Sequence, residues 1–204
     1  MNHRTQLRAG SRLTWLAMGM SLLAGTLPAQ EVDEHAQHRA AAAAQVQVST
    51  HAYSIPDVVL RDSDGKPVAL QTLLAPQTPV VMNFIYTSCT TICPVMTASL
   101  LQLQGRLAKT AAKPRYVSIS IDPDFDNSRI LKAYANRYGA DWLFLTGSRA
   151  DVLRVLTSFE SWRGSKANHA AVTLMRQGEA AQWTRIEGLA SAQKLETVWR
   201  QLGS

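Results

Sequence analysis

Cys89 and Cys93 are the only thiols in this 204-residue chain, and they stand four positions apart. A disulfide between such near neighbours closes a tiny loop and restrains little of the unfolded chain. The spacing therefore points to redox chemistry or to a metal rather than to a structural bridge. Thiolates are soft donors that select copper(I), zinc or iron–sulfur clusters. Two of them leave a metal site short of a ligand, and a histidine is the natural third. Beyond residue 50 there are two histidines, His51 and His169. His51 precedes the first expected strand. His169 closes a polar loop, 160–168, directly before another strand. From position alone, a ligand and a hydrogen-bonded surface histidine account for it equally well.

The elements that must position these residues follow from patterning. Residues 79–86 form a nearly continuous apolar run, as in a strand covered on both faces. The cysteines come next, and Pro94 opens a helical stripe of Met96, Leu100, Leu101, Leu103 and Leu107. The thiols thus sit where a strand passes into a helix. Free N–H groups and a partial positive charge there favour thiolate over thiol. Side chains four apart can converge on one point.

Upstream, strands 55–60 and 67–70 are expected as a hairpin around Asp64-Gly65. Downstream, a strand at 116–121 stops at Asp122-Pro123. A helix at 128–138 stops at Gly139. A strand at 142–145, a helix at 150–159, a hairpin of 170–175 with 182–186, and a helix at 191–202 complete the domain. This order implies an α/β fold: a central mixed sheet flanked by helices, with an N-terminal β-hairpin, in thioredoxin-like outline. In that sheet His169 faces the cysteine junction. Thioredoxin-like oxidoreductases resemble one another in carrying a cis-proline at that place. Here it reads Asn168-His169-Ala170, and no proline follows Pro123. The C-x3-C spacing also departs from the C-x2-C of most disulfide catalysts. Both features favour metal binding over disulfide exchange.

Arg4, Arg8 and Arg12 precede a broken apolar run at 13–27, with no acidic residue before Glu31. Residues 1–29 are therefore expected to be a signal peptide, cut after Ala29, or an uncleaved membrane anchor. The Ala- and Gln-rich stretch 30–49, which contains His35 and His38, reads as a linker, and 50–204 as the domain. Of the net charge of +6, three charges lie on the leading arginines, leaving too modest a surplus for a nucleic-acid partner. The expected location is outside the cytoplasm: periplasmic, or anchored at the outer face of the inner membrane.

The run Phe84-Ile85-Tyr86-Thr87-Ser88-Cys89-Thr90-Thr91-Ile92-Cys93-Pro94-Val95-Met96 resembles the signature of the Sco/SenC family of copper chaperones. Ile55-Pro56-Asp57, Asp64-Gly65-Lys66, Ser120-Ile121-Asp122-Pro123 and Leu145-Thr146-Gly147 add weaker matches across the domain. The resemblance implies a thioredoxin-like fold and a copper site, Cu(I) or Cu(II), whose ligands fall on Cys89, Cys93 and His169. It further implies an upstream copper donor and delivery to the dinuclear copper centre of cytochrome c oxidase; a nitrous oxide reductase centre is chemically equivalent. Many family members read Asp-His-Ser where this chain has Asn168-His169-Ala170, so a negative charge beside the histidine is absent. On this reading the protein is a metallochaperone rather than an enzyme.

The alternative is a thiol–disulfide oxidoreductase using Cys89 and Cys93 as a redox pair to keep a target's copper-site cysteines reduced. A peroxiredoxin-like enzyme would need an Arg or Thr constellation around a lone Cys, and none is evident. Asp122, at the end of a strand, is expected to support the cysteine loop or to cap the following turn. Met96 lies on the apolar stripe and is expected to pack. Trp162, on the loop before His169, is the tryptophan most suited to touch a partner.

Overall fold

The computed structural model describes residues 46–110, 113–177 and 182–203. Its strands are β1 (Gln47–His51), β2 (Val59–Asp62), β3 (Pro67–Ala69), β4 (Val80–Ile85), β5 (Arg115–Ser120), β6 (Leu143–Thr146), β7 (Val172–Arg176) and β8 (Trp183–Glu187). The helices are α1 (Leu70–Leu73), α2 (Ile92–Leu107), α3 (Ser128–Tyr138), α4 (Arg149–Ser158) and α5 (Ala192–Leu202), with a 3-10 turn at Lys166–Asn168. The strands form one sheet in the order β1-β8-β7-β4-β5-β6-β2-β3. β4, β5 and β6 run parallel; β7, β8 and β1 are antiparallel additions on one side and the β2–β3 hairpin on the other. This is the mixed, helix-flanked sheet with an N-terminal hairpin expected from the sequence.

β4 lies at the centre, and all six of its residues are buried. Its alternation splits the core in two. Val81 and Ile85 pack with α2, α3 and α5 through Leu100, Leu131, Leu195 and Trp199. Met82 and Phe84 pack on the other face with Val152 and Leu156 of α4. Cys89 and Cys93 belong to the first of these clusters, so the α2 face carries the thiols.

Local chemistry sets the ends of the helices. Asn127, Ser148 and Ser191 each accept a backbone N–H with their side chains and start α3, α4 and α5. Gly139 stops α3 at φ 65°, a left-handed conformation that costs glycine nothing. Gly147 is required for a different reason: a Cβ there would lie 2.6 Å from Leu60 Cδ2.

β1 differs from expectation. It starts at Gln47, inside the stretch 30–49 read as linker, and pairs along its length with β8. Its side chains are largely exposed, so the ladder of backbone hydrogen bonds holds most of it, helped at its end by His51 on Glu160 and Tyr53. α1 is also unanticipated, replacing the end of the second hairpin strand at Leu70. The segment 1–29 expected as signal or anchor, and His35 and His38, fall outside the described residues. Among the described residues no helix is long and apolar enough to cross a membrane.

Candidate metal centre

β4 ends at Ile85 and α2 begins at Ile92, so the loop between them carries Cys89, and Cys93 is the second residue of the helix. The loop turns back on itself through the Cys89 N–H, which donates to the Tyr86 carbonyl at 3.2 Å. Cys89 is 6% exposed and Cys93 wholly buried, and neither is in a disulfide. The N–H of Cys93 donates to Cys89 Sγ at 3.4 Å, so one sulfur lies over the mouth of the helix and over the other cysteine.

This arrangement divides the pair electrostatically. Burial raises the pKa of Cys89, but the N–H groups of Cys93 and Thr91, with the Cys93 thiol and the Thr91 hydroxyl, outweigh it and bring it down to about 7. Burial pushes Cys93 well above the ordinary thiol range, and the neighbouring Cys89 sulfur adds to the rise. At neutral pH Cys89 is therefore the readily ionised sulfur and Cys93 is a thiol. Iodoacetamide should modify Cys89 alone in the folded protein. The rate should rise with pH, reach half its maximum near pH 7 and level off above it, because the lowered pKa makes thiolate available earlier than in a free cysteine. A midpoint above pH 8.5, read by peptide mass mapping, would contradict that geometry.

Asp126 holds the loop in place. Its carboxylate is fully buried. It accepts the Thr87 N–H at 3.0 Å, the Thr87 hydroxyl, and the Ser120 hydroxyl at 2.6 Å. Asp122 is expected from the sequence either to support this loop or to cap the following turn. The Asp122 side chain instead pairs with Lys166 of the histidine loop, Nζ to Oδ2 2.5 Å, while its carbonyl accepts the Asp126 N–H at 2.8 Å. Asp126 was missed because an acid two residues before a helix reads as turn chemistry; no local signal says that it points inward.

His169 is half-buried at the end of the 3-10 turn. The β4–β7 ladder ends at Asn83 and Thr173, and just beyond it the imidazole takes over, with Nε2 2.9 Å from the Phe84 carbonyl. A carbonyl only accepts, so Nε2 carries the proton and Nδ1 keeps the lone pair. Burial lowers the pKa of the ring, so it is neutral at pH 7. Tyr86 faces both: its ring meets the imidazole edge to face at 6.1 Å, and the proximity of the Cys89 sulfur adds to the rise that burial causes in the pKa of its phenol. The structure thus brings Cys89 and Cys93 together and puts His169 one side chain away. Among the described residues, no three His, Cys, Asp or Glu side chains stand close enough to hold an ion as they are.

The other residues singled out in the sequence are elsewhere or pack. His51 bonds Ser49 and Glu160 at the β1 edge. Met96, Trp142, Trp183 and Trp199 are buried. Trp162 is 42% exposed and walls a groove of about 440 Å³ with Leu153, Leu156, Asp122 and Lys166. Among the described residues no peptide bond is cis, including that before Ala170.

Comparison with known proteins gives a consistent picture. The SCO1/SenC family model matches residues 47–195. A SCO1 protein homolog of Bacillus subtilis (strain 168) is 37% identical over 98 residues, which are 47% of this chain and 50% of that protein. A Stutzerimonas stutzeri protein named for copper binding is 31% identical over 134 residues, 65% of this chain and 63% of its own. The chain thus spans half to under two thirds of these relatives. Among solved structures, BsSco is described as a member of the Sco family of cytochrome c oxidase assembly proteins, with a disulfide switch. It superposes with a TM-score of 0.62 at 26% identity, over 76% of this chain and 95% of that one.

Proposed function

Since this chain belongs to the SCO1/SenC family, we propose that it carries a single copper ion on Cys89, Cys93 and His169 and hands it to a respiratory copper enzyme. The observation that carries this reading is the sulfur pair at the mouth of α2, with N–H groups converging on Cys89. The donor set suits the cargo. Two soft sulfurs and a neutral imidazole match copper(I) in a three-coordinate site. Binding at neutral pH displaces the proton of Cys93, whose burial otherwise keeps it a thiol. His169 must leave the Phe84 carbonyl and pass Tyr86 to complete the set. The dinuclear centre of cytochrome c oxidase fits as acceptor, as does that of nitrous oxide reductase. Both require a donor upstream and a location outside the cytoplasm, at or near the membrane.

Titrating the reduced protein with copper(I) against a competing chelator tests the ligand set. One copper per chain is expected, and His169→Ala should weaken it by about tenfold or more. Full affinity in that variant would remove the imidazole from the site. A second reading, thiol–disulfide exchange that keeps a target's cysteines reduced, draws on the thiolate-prone Cys89 beside the buried thiol of Cys93. It needs both cysteines and is indifferent to His169.

A further inference from the structure

In the structure His169 is bonded to the Phe84 carbonyl rather than gathered with the thiols, and we infer that Lys166 is the latch that keeps it there. The inference rests on the copper-carrier reading and concerns the regulation of that site. Three contacts make the latch. Lys166 Nζ lies 2.5 Å from Asp122 Oδ2 on the turn after β5. The same ammonium stands 5.9 Å from the centre of the Tyr86 ring, whose edge-to-face contact is with His169. The 3-10 turn joins the two residues, since the His169 N–H donates to the Lys166 carbonyl and the Asn168 N–H to that of Ser165, each at 3.2 Å. Lys166 and the imidazole therefore move as one piece.

The rest of the loop holds on weakly. Residues 162–168 are all exposed. The Asn168 amide reaches only the Arg163 carbonyl, which belongs to the same loop. The loop is attached to the sheet end by Lys166 on Asp122 and the imidazole on Phe84 near its close, and by a long ion pair of Arg163 with Glu187 of β8, 3.6 Å, near its start. Asp122 is tied through its carbonyl to Asp126, and Asp126 holds Thr87 at the start of the cysteine loop. The latch is thereby anchored to the frame that carries the thiols, and releasing it changes the position of the imidazole relative to them. The bound form requires that release, so apparent copper affinity is reduced by the fraction of molecules in which His169 is held on Phe84.

Lys166→Met tests the latch: it removes the charge, keeps the stem, and alters a side chain that is half-exposed, so the fold should be unaffected. Copper(I) affinity should rise by about fivefold, the scale of one partly exposed ion pair. Lys166→Arg, which keeps the pair, should behave as wild type. In the metal-free protein the Nε2 proton of His169, sheltered by the Phe84 carbonyl, should exchange with water faster in Lys166→Met when followed by NMR. The affinity gain should vanish when His169→Ala is also present. Unchanged or weaker copper binding in Lys166→Met, or a gain that persists without His169, overturns the latch while the ligand set stands. If His169→Ala alone costs no affinity, the imidazole is not a ligand and the latch falls with it.

Discussion

Serine in place of Cys93 lowers copper(I) affinity by more than about a hundredfold and leaves the fold intact, because it removes a soft donor and little else. Cys93 is wholly buried against the α2 face of the sheet, and a hydroxyl fills nearly the same space as its thiol. The backbone of Tyr86, which works against burial on the Cys93 sulfur, would face the serine oxygen in its place. Stability should change by about 1 kcal/mol, as for one altered buried hydrogen bond. Cys89→Ser should lose copper to the same degree. It should also end alkylation of the folded protein, since Cys89 is the sulfur that N–H groups hold near neutral ionisation. Chelator competition reads the affinity, and urea unfolding separates loss of the site from loss of the fold. Copper binding within tenfold of wild type in either variant would contradict a site built on the pair.

Asp126→Ala destabilises the protein by about 3 kcal/mol, the cost of leaving several buried donors without an acceptor. The carboxylate accepts the Thr87 N–H and the hydroxyls of Thr87 and Ser120, all in a fully buried position. Asp126→Asn should cost only about 1 kcal/mol. Its carbonyl oxygen can serve the Thr87 N–H and the Ser120 hydroxyl, and its NH2 can donate to the Thr87 hydroxyl, which can accept as readily as it donates. Because Thr87 opens the cysteine loop, the alanine variant should also change the alkylation rate of Cys89 at a fixed pH, and the asparagine variant much less. Equal losses for the two substitutions in urea titrations would show that charge, rather than hydrogen bonding, sets the role of Asp126.

The apolar run of β4 and the stripe of α2 place the cysteines from sequence alone, because burial on both faces and on one helix face leaves a periodic trace. α3 matches its expected bounds because Gly139 marks its end. β1 left no such trace: Gln47, Val48, Ser49 and Thr50 are exposed, and composition tied them to the Ala- and Gln-rich stretch before them. Only the partner strand β8 makes them a strand. The same limit applies to the site. Spacing brings the two sulfurs together, but the frame around them is closed by Asp126 on Thr87, Lys166 on Asp122 and His169 on Phe84, pairs 39, 44 and 85 positions apart in the chain. The conformation of His169 depends on the carbonyl at Phe84 becoming available where the β4–β7 ladder stops, and no sequence pattern marks it.

X-ray absorption at the copper edge of the reduced protein, loaded with one equivalent of copper(I), counts the donors directly. Two sulfurs and one nitrogen with imidazole scattering are expected, and the imidazole signature should vanish in His169→Ala. A shell of sulfur alone, unchanged by that substitution, would contradict a Cys89, Cys93 and His169 site.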